Sequence, residues 1–202
     1  KAREQKPFAV MFRDIDEIKK ISYVNEVEER LLESSAKPII LLEIKPAEQI
    51  EAPAYAKSKD ELLKSRFVGS FLPSMGAQHL ILEAFGGPLI ATSANVSDMP
   101  MIKDDGQMME FMDRQPLIAA MIYNERDLRV RADDSVVRVI DGNPQMIRRS
   151  KGYAPVPLFV EADCEKGDMI FAAGGQLKNS FALTKGKFVY MSQYFGDMDS
   201  LE

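Results

Sequence analysis

The sequence has 202 residues, 46% of them hydrophobic, with 26 Lys and Arg against 31 Asp and Glu for a net charge of −5. That apolar content can build a real core and excludes a disordered tail; no apolar run nears the roughly 18–20 residues that cross a bilayer, and an acidic chain is not drawn in bulk to a polyanion. One cysteine, Cys164, excludes an internal disulfide and Cys-x-x-Cys chemistry and fits a reducing, cytoplasmic setting, and one histidine, His79, excludes a histidine-rich metal cage.

In chain order, the charged start Lys1-Ala2-Arg3-Glu4-Gln5-Lys6-Pro7 lacks the apolar stretch and cleavage site of a secretory signal. Lys6 to Phe12 reads as a buried strand. Asp14 with Glu17, then Asn25 with Glu28, are two capping-box signatures that each open a helix. Pro38 precedes Ile39-Ile40-Leu41-Leu42, an apolar run expected of a strand covered on both faces. Lys45 to Lys64 turns to Pro, Ala, Glu and Lys and reads as a surface excursion, ending in a short helix.

The core resumes with a strand over Val68 to Leu72. Ser74 is placed to cap a helix running through His79 and Leu82 and stopped by Gly86-Gly87. Pro88 to Ala91 is the next strand, Thr92 to Pro100 a polar loop, Asp104 to Asp113 a methionine-rich helix, and Leu117 to Tyr123 another strand. His79 reads as a packed, hydrogen-bonded histidine and the methionines as core filler. Ser135 to Ile140 and Gln145 to Arg148 flank Asp141-Gly142-Asn143-Pro144 and form a hairpin. Ser150 to Pro157 has the stiffness of a domain boundary. Beyond it, Met169 to Ala173, Phe181 to Thr184 and Phe188 to Met191 read as strands, too few to bury a core of their own. Alternating strands and helices up to Arg149 indicate an α/β layer structure.

Three clusters carry chemistry. Lys1 and Arg3, one residue apart in extended chain, share a face and suit a phosphate or carboxylate, or form a solvated terminus. Thr92-Ser93-Ala94-Asn95 follows a strand end, where open sheets present ligand-binding loops, or is an ordinary polar turn. From Asn124 to Lys151 seven bases, Arg126, Arg129, Arg131, Arg138, Arg148, Arg149 and Lys151, face five acids; paired strands there would aim several of the guanidinia at one face, suited to a triphosphate, or the arginines pair with Asp133 and Asp134. Gly174-Gly175 with Lys178 is a weak phosphate-loop signal beside the plainer reading of a hairpin loop.

In order, these segments resemble the YrdC-like domain of the hydrogenase-maturation carbamoyltransferases. Lys1-Ala2-Arg3 with Lys6 to Met11 resembles that family's K-x-R and K-P-F-A-V-M segment, and Ser93-Ala94-Asn95 its S-x-N. Arg131 to Arg138 and Arg148 to Pro155 resemble the maturation family's own version. Gly174 to Asn179 and Met191 to Asp197 resemble the opening of the same family's carbamoyl-transferring domain, of the actin-like ATPase superfamily. Leu72-Pro73-Ser74-Met75 departs from a family pattern near L-P-Y-T-P-L-H, and Gln176 stands where an acidic residue is usual.

The resemblance implies a twisted mixed sheet with flanking helices over residues 1–155, lacking its first strands, and then a linker and short hairpin piece of the transfer domain over 156–202. It implies that carbamate from carbamoyl phosphate attacks ATP to give carbamoyl-adenylate, with magnesium accompanying the nucleotide, and that the whole enzyme passes the carbamoyl group to a C-terminal cysteine of a partner maturation protein. Lys1 and Arg3 would bind the carbamoyl or phosphate group and act in catalysis. Ser93 and Asn95 would take the nucleotide phosphates, and Ser135 with Arg148, joined by Arg131, the triphosphate; no protein metal site is implied. A threonylcarbamoyl-adenylate synthase shares K-x-R and S-x-N, and an RNA-binding module is the alternative from another class, which the net charge disfavours. An open sheet edge would suit homodimerisation.

Overall fold

The computed structural model describes residues 7–50, 65–95, 101–123, 132–161, 169–176, 179–193 and 195. Lys1, Arg3, Lys6, Arg131, most of the Lys45 to Lys64 excursion and Cys164 lie outside them.

The first strand, β1 (Ala9–Met11), leads into α1 (Ile15–Ile21), whose N-cap Asp14 accepts the Glu17 N–H at 2.9 Å. In α2 (Glu26–Glu33) the capping box is complete: Asn25 Oδ1 accepts from Val27 and Glu28, and Glu28 returns a carboxylate oxygen to the Asn25 N–H at 2.9 Å. Strand β2 (Ile39–Glu43) follows, then a single 3₁₀ turn at Ala47–Gln49 and β3 (Phe67–Phe71). In α3 (Gly76–Phe85) the cap is Met75 and not Ser74. Gln78 Oε1 takes the N–H groups of both, at 2.9 and 3.2 Å, and Gly86 ends the helix in the left-handed region. Strand β4 (Leu89–Ala91) and α4 (Asp105–Asp113), capped by Asp104, come next. Then β5 (Val136–Ile140) and β6 (Asn143–Arg148) form the expected hairpin. Its turn is tighter than the tetrapeptide suggested, because Asp141 and Gly142 both take positive φ, as a two-residue turn requires.

These strands make one mixed sheet in the order β4-β1-β3-β2-β5-β6. Successive residues face opposite sides. Val10, Phe12, Ile40, Leu42, Val68 and Val137 meet Ile18, Ile21 and Leu32 of α1 and α2, whereas Met11 and Phe71 meet Leu82 of α3 on the other face. On that second face Met11 pairs with Leu89 and Phe71, Ile39 with Val136, and Val136 with Arg148. The row that begins in the apolar core thus ends on an arginine. Beside it Ala9 pairs with both Ala91 and Gly69, a floor without large side chains. A Cβ on Gly69 would stand 2.9 Å from the Ile39 side chain, so the close strand approach needs glycine.

Four expectations are corrected. Leu117 to Tyr123 forms no strand, and Leu117 is 94% exposed: an apolar run without a partner strand gains no ladder. His79 is exposed on α3, whose only buried residue is Leu82, so the helix packs by one narrow contact. Helix α4 buries nothing, and its methionines are half-exposed or exposed instead of filling a core. Strand β2 is buried at alternate positions only, because Leu41 faces an open groove.

After the linker a second sheet runs β7 (Leu158–Phe159), β10 (Phe188–Met191), β9 (Ala182–Lys185) and β8 (Phe171–Ala172), antiparallel throughout. Among the described residues beyond Ser150 none is buried, as expected of too few strands for a core. A Cβ on Gly174 would fall on the Ser180 backbone, so the close approach there needs glycine; Lys178 lies outside the described residues. No helix among the described residues is long and apolar enough to cross a membrane.

Candidate functional site

Arg148 ends β6 opposite Val136, and directly opposed residues share a face, so its side chain rises from the face that α3 covers farther along. Its Nη1 lies 3.9 Å from Asp133 Oδ1, a Coulomb contact and not a hydrogen bond. Burial pushes the Asp133 carboxyl above the ordinary carboxylate range, against the pull of Arg148 and with added repulsion from Asp134.

Ser135 is 1% exposed, and its hydroxyl is engaged twice: it donates to the Lys151 carbonyl at 2.9 Å and accepts the Ser150 N–H at 2.8 Å. It thereby clamps the chain that leaves β6 against the start of β5. The Lys151 N–H adds a bond to the Asp133 carbonyl at 3.1 Å. The Lys151 ammonium reaches Ser74 Oγ at 2.9 Å and Asp134 Oδ1 at 3.4 Å, tying this corner to the loop before α3.

Arg149, next in sequence, behaves differently. Its Nη2 donates to the Val156 carbonyl at 2.7 Å, its Nη1 is buried without a hydrogen-bond partner among the described residues, and burial lowers its pKa. Arg149 braces the linker, and Arg148 serves the open face. Gly152 completes the corner in the left-handed region at φ +84, packed so tightly that a Cβ would meet Ala36 at 2.7 Å.

Ser93 and Asn95 stand elsewhere. Ser93 Oγ donates to Asn95 Oδ1 at 2.7 Å, closing a small turn after β4. Because β4 runs antiparallel to β1 and β1 parallel to β3, that turn lies at the end of the sheet where β3 begins. The pairs Ile40 with Ser70 and Ile39 with Val136 put Ser135 and Arg148 where β3 finishes. The structure therefore gathers Ser135, Arg148, Lys151, Ser74, Asp133 and Asp134 at one end, and sets Ser93 with Asn95 at the other, on the opposite edge strand. Lys1, Arg3 and Arg131 fall outside the described residues.

Lys151 belongs to the basic cluster visible in the sequence, but its pairing with Ser74 is not legible there; the only signal is the departure at Leu72 to Met75. The assembled corner offers fixed cations and hydroxyls. Among the described residues no three His, Cys, Asp or Glu side chains gather to hold a metal ion.

Comparison with known proteins follows the same division. A family model for Sua5, YciO and YrdC, described as telomere recombination, matches residues 1–150, and one described as HypF Kae1-like domain matches residues 165–202. Carbamoyltransferase HypF of Rhizobium leguminosarum bv. viciae is 37% identical over 100% of this chain and 26% of its own length; that of Synechocystis sp. is 32% identical over 99% and 25%. This chain thus spans about a quarter of the curated relatives it matches. The crystal structure of full-length HypF in a phosphate- and nucleotide-bound form superposes with TM-score 0.81 at 37% identity, over 98% of this chain and 30% of that one. The T. kodakarensis HypF structure gives 0.79 at 33%, over 99% and 25%. The E. coli YciO structure, at 20% identity and TM-score 0.52 over 73% of this chain and 68% of that one, shares the fold.

Proposed function

As this chain belongs to the Sua5, YciO and YrdC family and continues into a HypF Kae1-like segment, we propose that it is the carbamoyl-adenylating part of a hydrogenase-maturation carbamoyltransferase. Residues 1–155 form the nucleotide- and carbamoyl-binding domain, and 156–202 the linker and first strands of the transfer domain. Water cleaves carbamoyl phosphate to carbamate and inorganic phosphate, and a carbamate oxygen then attacks the α-phosphorus of ATP. The new O–P bond makes carbamoyl-adenylate, and the bond to the β-phosphate oxygen breaks, releasing pyrophosphate with its electron pair. In the whole cytoplasmic protein the transfer domain then carries the carbamoyl group to a cysteine at the C-terminus of a partner maturation protein.

The observation that carries this reading is Arg148, set by the Ser135 clamp at the end of the row that crosses the sheet. In-line attack at phosphorus needs positioned cations around developing charge and no protein nucleophile, which matches the groups gathered there. Ser135 acts through the backbone it holds, and Arg148 with Arg131 takes the triphosphate. Ser93 and Asn95 are assigned phosphate oxygens from their motif alone, since they stand at the other end of the sheet on the opposite edge strand, and Lys1 and Arg3 hold the carbamoyl group. Magnesium entering with ATP would keep several waters and phosphate ligands, with Asp133 and Asp134 the nearest carboxylates to Arg148 and Lys151.

Calorimetry of ATP binding to the 202-residue chain tests this. Arg148→Gln should weaken binding by about 10- to 100-fold, the loss of a charged hydrogen bond to phosphate. Ser93→Ala should also weaken it, and pyrophosphate should appear only with carbamoyl phosphate present. Equal ATP affinity in wild type and both variants would remove the phosphate assignments.

A further inference from the structure

Strands β2 and β5 pair only at Ile39 with Val136 and Ile40 with Val137. The cause is local. Beyond Leu42 the outer edge of β2 is already taken by the segment joining α1 to α2: Ser22 bridges Ile44, the Tyr23 N–H bonds the Glu43 carbonyl at 3.0 Å, and the Lys45 N–H bonds that of Ile21 at 2.9 Å. Strand β5 is thereby forced away, and the sheet splits. The split is a groove of about 420 Å³ whose walls include Tyr23, Leu41, Glu43, Arg66, Phe67 and Arg138. Its size is that of a small-molecule site.

Two guanidinium groups approach the same ring in this groove. Arg138 Cζ stands 4.5 Å and Arg66 Cζ 5.6 Å from the Phe67 centroid. Their circumstances differ. Arg66 is neutralised by Glu43, to which both its Nε and Nη2 come within 3.0 Å. Arg138 has no hydrogen-bond or ion-pair partner among the described residues, though it is half-buried and its Cζ is held over an aromatic ring. The other carboxylate in the wall, Glu28, is occupied by the Asn25 N–H. A held guanidinium with unspent donors, beside Leu41 and an aromatic edge, suits a bidentate oxyanion carried on a flat apolar body.

We propose that the split between β2 and β5 is a binding site for a small organic anion, a carboxylate or phosphate monoester with a planar apolar body, centred on Arg138. It is separate from the Arg148 corner, since Arg138 pairs with Gln145, three residues down β6 from Arg148, toward the opposite end of the sheet.

Phenyl phosphate and benzoate, titrated into the 202-residue chain and followed by calorimetry and by ligand-observed NMR, test it, with inorganic phosphate as the probe without an apolar body. Phenyl phosphate or benzoate should bind more tightly than inorganic phosphate. Arg138→Gln should weaken that binding about tenfold or more, and Arg138→Lys should recover only part of it, because the bidentate fork is lost. Arg148→Gln should leave it unchanged, and saturating ATP should not displace it. Circular dichroism of each variant confirms folding. No binding by either aromatic probe, equal affinity in Arg138→Gln, or loss of binding in Arg148→Gln overturns the proposal. The last result alone would place the anion in the nucleotide corner, and loss of ATP binding without loss of the aromatic anions would count against the adenylating function only.

Discussion

Lys151 Nζ lies 2.9 Å from Ser74 Oγ, a bond between residues 77 positions apart that joins the end of the long hairpin to the loop opening α3. The pair is exposed, so its share of global stability is small, at most about 1 kcal/mol. Its local effect is larger. Lys151→Met should speed amide hydrogen exchange at Met75 to Gln78 while moving the melting temperature by no more than a few degrees. Unchanged exchange there would mean that the α3 entrance is held by Gln78 alone.

The Ser70 hydroxyl is fully buried on the α1 and α2 face, among Val10 and Ile40, without a hydrogen-bond partner among the described residues. Its desolvation is uncompensated. Ser70→Ala should therefore be neutral or stabilise the chain by about 1 kcal/mol, which chemical denaturation would measure. A loss above that would mean that the oxygen is bonded in solution.

Gly152 combines φ +84 with a Cβ position 2.7 Å from Ala36. The left-handed backbone alone costs a non-glycine residue about 1–2 kcal/mol, and the overlap with Ala36 adds to it. Gly152→Ala should cost at least 2 kcal/mol in denaturant unfolding and weaken ATP binding through Arg148, four residues upstream. A neutral substitution would contradict the packing described.

Asp133 has its folded pKa raised, chiefly by burial, above the ordinary 3.8. The folded state then holds its proton more tightly than the unfolded chain, so this group favours folding when protonated, and the benefit is lost as pH climbs from about 3.8 through the folded value. Asp133→Asn should flatten that part of the stability profile. Melting temperatures of wild type and variant across mildly acidic pH should differ in slope with this sign, and parallel profiles would refute it.

Local signals in the sequence carried the local structure. Asp14 and Asn25 cap the helices they mark, and Asp141-Gly142 makes the hairpin turn. Where a segment needs a partner to define it, the sequence misleads: Leu117 to Tyr123 has a strand-like composition but no neighbouring strand among the described residues, and α3 is apolar on faces that no described residue covers, leaving Leu80 68% and Phe85 64% exposed. The site divides the same way. Ser135 and Arg148 were visible as motif positions, and so were Ser93 and Asn95. That the Ser135 hydroxyl is spent on two backbone groups was not visible, nor that Arg149 turns to the linker while Arg148 stays on the open face. Those facts depend on which strand edge faces which, and so on the whole topology.

The doubly engaged oxygen of Ser135 also limits how this corner can respond to a ligand. One atom joins the beginning of β5 to the chain just past Arg148, so the backbone beneath the guanidinium has no slack: a bound phosphate can turn the side chain about its own bonds, but to shift its base it must drag two strands or break two bonds at once. Reach there is adjustable, whereas the point it starts from is set before any ligand arrives.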